Sequence, residues 1–359
     1  MLRSVIGDTP RRREDQRFIR GQGTYLDDLL LDGLVHAVVL RSPHAHALIQ
    51  GIDTAAAQAM PGVLAVLTSA DAEADGLRPM RPTVEANAQT GEPFPFLPQP
   101  LLATGKVRHV GEAVALIIAE TLRQATDAAD EVVGDYAPLP AVTTAKAACA
   151  AGAPQVAEGV PGNLCLDWRW GDHDAAEAAF AGAAHRVTAR ITTHRMITNP
   201  MEPRGVIGCW DAAAGRYTAH VSSQNLHSNR DLAAQALGVA PPALRFVAPD
   251  VGGGFGAKNF LYPEHALIPW AARRGQRPVK WIASRTETFL SDHQARDQMA
   301  DAELALDTDG RFLAMRVASV ANLGAYVIGS SAALQTNQYV HMQGTVYRIP
   351  TIALHVRAV

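Results

Sequence analysis

A chain of 359 residues, 48% hydrophobic and 19% charged, has apolar material for a large core and a length that fits two domains, and it is neither disordered nor fibrous. Its 32 basic and 35 acidic residues leave a net charge of -3, which supplies no electrostatic drive toward nucleic acid or a membrane surface and points to small molecules or protein partners. Cys149, Cys165 and Cys209 are too few and too widely spaced for an iron–sulfur or zinc site, and an odd count fits a reducing compartment. No apolar segment follows the arginines of MLRSVIGDTPRRREDQRFIRG, and no apolar run reaches the roughly 18 to 20 residues of a bilayer span, so a cytoplasmic protein is expected.

Residues 16–143 alternate strand-like and helix-like stretches: LVHAVVL (34–40), IDTAAAQAM (52–60), GVLAVLTS (62–69), VGEAVALIIA (110–119) and TLRQATDAADEVV (121–133). In the last, Leu122, Ala125, Ala129, Val132 and Val133 recur at helical spacing behind Thr121, which serves as N-cap. The proline-rich residues 76–100 sustain neither period and read as a long surface excursion. Residues 144–163, rich in alanine, glycine and proline, read as a linker.

A second domain, 164–359, follows. Strands are expected at RVTARIT (186–192), RGVIGCW (204–210) and RYTAHVS (216–222), and a helix opens on the capping-box-like Ser228–Asp231 and closes at Gly238. Next come a strand, RFVAPDV (245–251), a glycine turn, and a helix, PEHALIPWAARR (263–274). PVKWIAS (278–284) and the pair AELALD and RFLAMRVASV, joined through Asp309 and Gly310, add sheet. The chain ends in a strand-like run, TIALHVRAV, an odd place for a domain to finish.

The turn is the most informative feature. Gly252, Gly253 and Gly254 remove every Cβ from a short stretch between strand and helix, so the backbone can press against a ligand and aim Phe255. Gly252, Gly254 and Ala257 fit a dinucleotide fingerprint, yet no acidic residue stands some 20 positions later, and Asn259 after Lys258 excludes a P-loop. A bend that only packs helix on sheet stays open, as does, more remotely, a nicotinamide-dependent dehydrogenase.

VGGGFGAKN (251–259) preceded by VSSQN (221–225) resembles the first cofactor segment in the molybdopterin-binding subunit of the xanthine dehydrogenase, aldehyde oxidase and carbon monoxide dehydrogenase family of molybdenum hydroxylases. Residues 23–47, 106–120, 171–187 and 199–208 resemble the family in the same order. The resemblance implies a mixed α/β (α+β) fold, an α/β-hammerhead domain followed by the first part of a molybdopterin-binding domain. It implies that Gly253, Gly254, Phe255 and Gly256 bring backbone amides to a molybdenum–molybdopterin cofactor, in its cytosine dinucleotide form, and that Gln224 places its amide near a metal oxo ligand. No residue of this chain is expected to coordinate the metal directly.

Asn259 and Gln338 fall where purine-hydroxylating relatives carry a glutamate and an arginine, so the resemblance implies an aldehyde, an N-heterocycle or carbon monoxide as substrate and disfavours xanthine. Water is the implied oxygen source. Electrons are expected to leave through 2Fe–2S clusters of a small subunit to the FAD of a flavin-binding medium subunit. The family's loop over the metal and its general-base glutamate would lie beyond Val359, so no complete catalytic set is expected here, and a separate chain or a continuation would carry the rest. The alternative is a non-catalytic scaffold that keeps the subunit contacts.

Other residues carry less. His44 and His46 read as structural or subunit-contact histidines in preference to a metal pair, Glu202 and Arg204 as an internal ion pair, and His227 as a packing histidine. Asp292 and His293 have acid–base chemistry without a third partner.

Overall fold

A computed structural model describes residues 7, 9, 11–87 and 89–359. The apolar runs form a seven-stranded sheet whose strands lie in the order Leu244–Val247, Arg216–Val221, Gly205–Asp211, Val279–Ile282, Val35–Arg41, Ala113–Ala119 and Val63–Leu67. The last three come from before the 144–163 segment and the first four from after it. The two groups meet at a parallel seam, where Val35 pairs with Val279 and His36 with Lys280.

Every residue of Ala113–Ala119 is buried, as a strand covered on both faces requires. One face packs on the helix Leu122–Asp130 through Ala125 and Ala128. Thr121 caps this helix as the sequence predicts, its hydroxyl accepting from the Gln124 N–H at 3.2 Å. The other face carries the main core, in which Val35, Val39, Leu116 and Trp281 meet Leu267, Trp270 and Ala271 of the helix Glu264–Gly275 and Ala233 and Ala234 of the helix Leu226–Ala236. The latter begins two residues before Ser228, with Asn225 at its N-cap position, so the expected Ser228 cap is not used.

A five-stranded outer sheet runs Leu166–Gly171, Thr351–Ala358, Phe312–Ala321, Gln298–Leu306 and His185–Thr193. The strand-like run at the end of the sequence is thus an inner strand, parallel to Phe312–Ala321 and antiparallel to Leu166–Gly171. A small sheet joins Lys106–Val107, Ala47–Asp53 and Val133–Pro138. Among the described residues no helix is long and apolar enough to cross a membrane.

Two expectations need revision. The 76–100 segment forms no extended strand, only the bridges Met80 with Gln99 and Ala86 with Pro93, yet it is not a free excursion: Phe94 is buried against Leu166, Ala321 and Val327. The 144–163 segment is likewise packed. Its helix Ala145–Ala148, capped by Thr144, buries both terminal alanines against Val320 and Val359, and Asn163 is buried with its amide donating to the Pro154 carbonyl at 3.0 Å.

Candidate functional site

The strand Leu244–Val247 ends four residues earlier than its sequence suggests, and the extended chain after it leads into the glycine turn. Gly253, Phe255 and Gly256 take positive φ of 97°, 50° and 95°. Such a backbone is natural for glycine and costs on the order of 1–3 kcal/mol for phenylalanine, so Phe255 is held there by its surroundings. The residue is 72% exposed. A Cβ on Gly254 would fall inside the side chain of Gln224, and one on Gly252 against Glu202, so close approach as well as dihedral freedom selects glycine.

The turn is pinned at three points. The Gly252 N–H donates to Glu202 Oε2 at 2.7 Å, the Gly256 N–H to Gln224 Oε1 at 2.9 Å, and the Ala257 N–H to the Gly254 carbonyl at 2.9 Å. Because Gln224 spends its oxygen on an N–H, its NH2 group faces outward as a donor with no partner among the described residues. The N–H groups of Gly253, Gly254 and Phe255 also find no acceptor among the described residues. Successive free N–H groups on a turn of this kind form a concave nest suited to an oxo or phosphate oxygen.

Beneath the turn lies a polar anchor. Glu202 Oε2 also accepts from Lys258 Nζ at 2.9 Å and Ser222 Oγ at 2.5 Å, while Lys258 Nζ donates to Ser222 Oγ at 2.7 Å. The Lys258 side chain is fully buried; burial pushes its pKa down and the Glu202 carboxylate opposes this. One carboxylate therefore grips both the entry and the exit of the turn. Just before it, Asp250 pairs with Arg17 and accepts from the Thr24 N–H, and these contacts hold its carboxyl down to about 2.

The expected pairing of Glu202 with Arg204 does not occur. Arg204, 2% exposed, donates to Glu264 at 2.8 Å and Asp292 at 2.5 Å, and its guanidinium lies 3.7 Å from the centroid of the Tyr262 ring. Each of the two residues meets a more deeply buried counter-charge than the other could offer. Glu264 also takes Arg41 at 2.5 Å, and Arg41 reaches Glu287 at 2.7 Å, which ties the strand Val35–Arg41 to the helices Glu264–Gly275 and Arg285–Ser291.

These contacts define Asp292 and His293. Asp292 is committed to Arg204. His293 stacks on Tyr262 at 3.9 Å, and burial together with the Arg204 charge pushes its pKa down to about 3. His46 Nδ1 binds the Pro140 carbonyl at 2.8 Å and His44 packs on Tyr136 at 4.9 Å. Among the described residues no group of three or more His, Cys, Asp or Glu could hold a metal ion. His227 is exposed on its helix.

Gln224 and Gly253 to Gly256 thus form one group, and Asn259 ends the short turn Ala257–Asn259 that follows, half-buried. Phe260, its neighbour, meets Gly329, which brings the segment before the helices Ser331–Gln335 and Asn337–His341 against the turn region. Gln338 lies exposed on the second of these and makes no hydrogen bond to the turn among the described residues. Sequence reading missed the Glu202–Ser222–Lys258 anchor, whose only signal was a glutamate and a lysine lying within two of the resembling segments.

Residues 156–359 match the family model described as "Molybdopterin cofactor-binding domain", and residues 20–140 that described as "Aldehyde oxidase and xanthine dehydrogenase, a/b hammerhead domain". The chain is 37% identical to the nicotine 6-hydroxylase large subunit of Paenarthrobacter nicotinovorans over 91% of its length and 39% of that protein's. It is 34% identical to the carbon monoxide dehydrogenase large chain of Hydrogenophaga pseudoflava, over 90% and 41% respectively. The crystal structure of quinoline 2-oxidoreductase from Pseudomonas putida 86 is similar with a TM-score of 0.91 and 34% identity, covering 99% of this chain and 44% of that one. The chain therefore spans about two fifths of the length of these relatives.

Proposed function

Because the chain belongs to the molybdopterin-binding family of the aldehyde oxidases and xanthine dehydrogenases, the molybdenum hydroxylases, we propose that it is the first part of the molybdopterin-binding subunit of a cytoplasmic hydroxylase. The observation that carries this reading is the nest of free N–H groups at Gly253, Gly254 and Phe255 beside the outward NH2 of Gln224. All are neutral donors, which suits oxo and phosphate oxygens of a molybdenum–molybdopterin cytosine dinucleotide without adding charge. Bound there, the cofactor supplies oxidation of a carbon centre with water as the oxygen source. This chain's own work is to hold and orient that group, with Phe255 projecting beside it as an exposed ring.

The substrate is an aldehyde, an N-heterocycle or carbon monoxide. Of these an N-heterocycle has support from the relatives named for nicotine and quinoline, and carbon monoxide from the relative named as a carbon monoxide dehydrogenase large chain. The neutral Asn259 offers a hydrogen-bonding edge to such a ring but no charge. Electrons pass to 2Fe–2S and FAD centres in a small and a medium subunit, a reading supported by relatives named as large subunits or chains. The rest of the molybdenum site comes from further sequence, in this polypeptide or another.

Molybdenum and pterin analysis of the complex purified through this chain tests the assignment, with one molybdenum per chain expected. Gly254→Ala, which drives a methyl group into Gln224, is expected to remove most of that molybdenum while the complex stays assembled. A complex free of molybdenum would overturn the reading and leave the scaffold. The scaffold draws its support from Asp292 and His293, which the Arg204 cluster withholds from acid–base work.

A further inference from the structure

The outer sheet ends on a strand that is unfinished. His185–Thr193 pairs with Gln298–Leu306 along all nine residues without a bulge, and all nine are exposed. Its outer row of N–H and C=O groups has no partner among the described residues, and the strand carries no proline or bulge to blunt it. Alternate residues distinguish the two faces, and the helix His173–Ala181 covers part of the polar one, where Phe180 is buried against Ala305 and Ala314. Arg186, Thr188, Arg190 and Thr192 share the polar face, where Arg190 pairs with Asp301 at 2.6 Å and Arg316 with Glu303 at 2.8 Å.

The opposite face is apolar from strand to strand. Val187 lies across from Leu304 and then Met315, and Ala189 across from Ala302 and then Val317. The helix Asn337–His341 covers this face only around Ala300, Val317 and Leu354, through Val340. Toward the edge, Val187 and Ile191 remain 54% exposed, and a groove of about 320 Å³ opens between Val187, Leu304, Tyr347 and Ile349. An apolar face flanking an open edge is the form of a surface that another layer covers.

We propose that the part of the molybdopterin-binding region missing from these 359 residues adds a strand to His185–Thr193 and covers the Val187–Ile191 face. This rests on the functional reading above. A second copy pairing edge to edge would lengthen the sheet but leave the apolar face wet, whereas the relatives hold more than half their length outside the matched region, ample bulk for a covering layer.

The test compares amide hydrogen exchange of residues 185–193 in two samples: the 359-residue chain alone, and the assembly purified through a tag on this chain expressed from its own locus. The strand's amides are expected to exchange at least about a hundredfold more slowly in the assembly. Val187→Asp with Ile191→Asp is expected to abolish that difference without changing the melting of the isolated chain, and Thr188→Asp with Thr192→Asp on the polar face to keep it. Equal exchange in the two samples overturns the proposal. So does protection in the isolated chain sedimenting as a dimer, which assigns the edge to a second copy. Protection in an assembly without molybdenum would sink the functional reading alone, and molybdenum without protection would sink this one alone.

Discussion

Lys258 shows most sharply what a single residue contributes, because its ammonium lies buried under the turn and Glu202 is its counter-charge. Glu202→Ala strands that charge and also frees the Gly252 N–H, so it should cost about 3–5 kcal/mol, read from urea midpoints. Replacing both partners, Glu202→Leu with Lys258→Met, is expected to recover more than half of that loss. The buried histidines set a second expectation. Burial and the Arg204 charge push His265 down to about 4 and His293 to about 3, below the unfolded value near 6.5. Between those limits the unfolded chain binds more protons, so stability is fully present above about pH 6.5 and falls as the pH drops, by up to about 1.4 kcal/mol per unit for each histidine. Melting temperature should be flat above pH 7 and decline from 6.5 to 4.5, and His293→Phe should reduce that slope. The residues of the turn were legible in the sequence because each lies in a contiguous motif. The ionic partners were not, since Arg204 finds Glu264 and Asp292 by folding across 60 and 88 positions, and a lone charge does not say which opposite charge it will meet.

Among the elements, the helix Glu264–Gly275 is seated tightly on its sheet. A Cβ on Gly208 would press on the main chain of Ile268 and Pro269, where neither side can yield as a flexible side chain would. Gly208→Ala is therefore expected to destabilise by about 1–3 kcal/mol, measured by thermal or urea unfolding. At the other face, Thr121→Ala removes a cap and should cost about 1 kcal/mol. The Thr121 helix was readable because its cap and apolar spacing agree. Near Ser228 two polar candidates compete, and the helix starts at Leu226 behind Asn225, whose side chain makes no capping hydrogen bond. The proline-rich segment misled for a related reason: lack of periodicity forbids regular structure, but it does not forbid burying Phe94.

For the molecule as a whole, the composition and the succession of motifs sufficed for a mixed α/β fold and for the family. What they could not convey is that strands from both sides of residues 144–163 share one sheet, because side-chain patterns specify faces and leave the neighbour of an edge open. With the seam tied by Arg41 to Glu264 and Glu287, residues 20–140 and 156–359 are expected to unfold together in one calorimetric transition, and two separated transitions would contradict a shared core. The same seam has a consequence in time. Val35 leaves the ribosome some 240 residues before Val279, its partner. At translation rates of about 5–20 residues per second, the strand Val35–Arg41 waits roughly 10–50 s with a bare hydrogen-bonding margin. Synthesis of this protein thus includes an interval in which shielding by a chaperone has a defined target, the Val35–Arg41 flank, and a defined end, the arrival of Pro278.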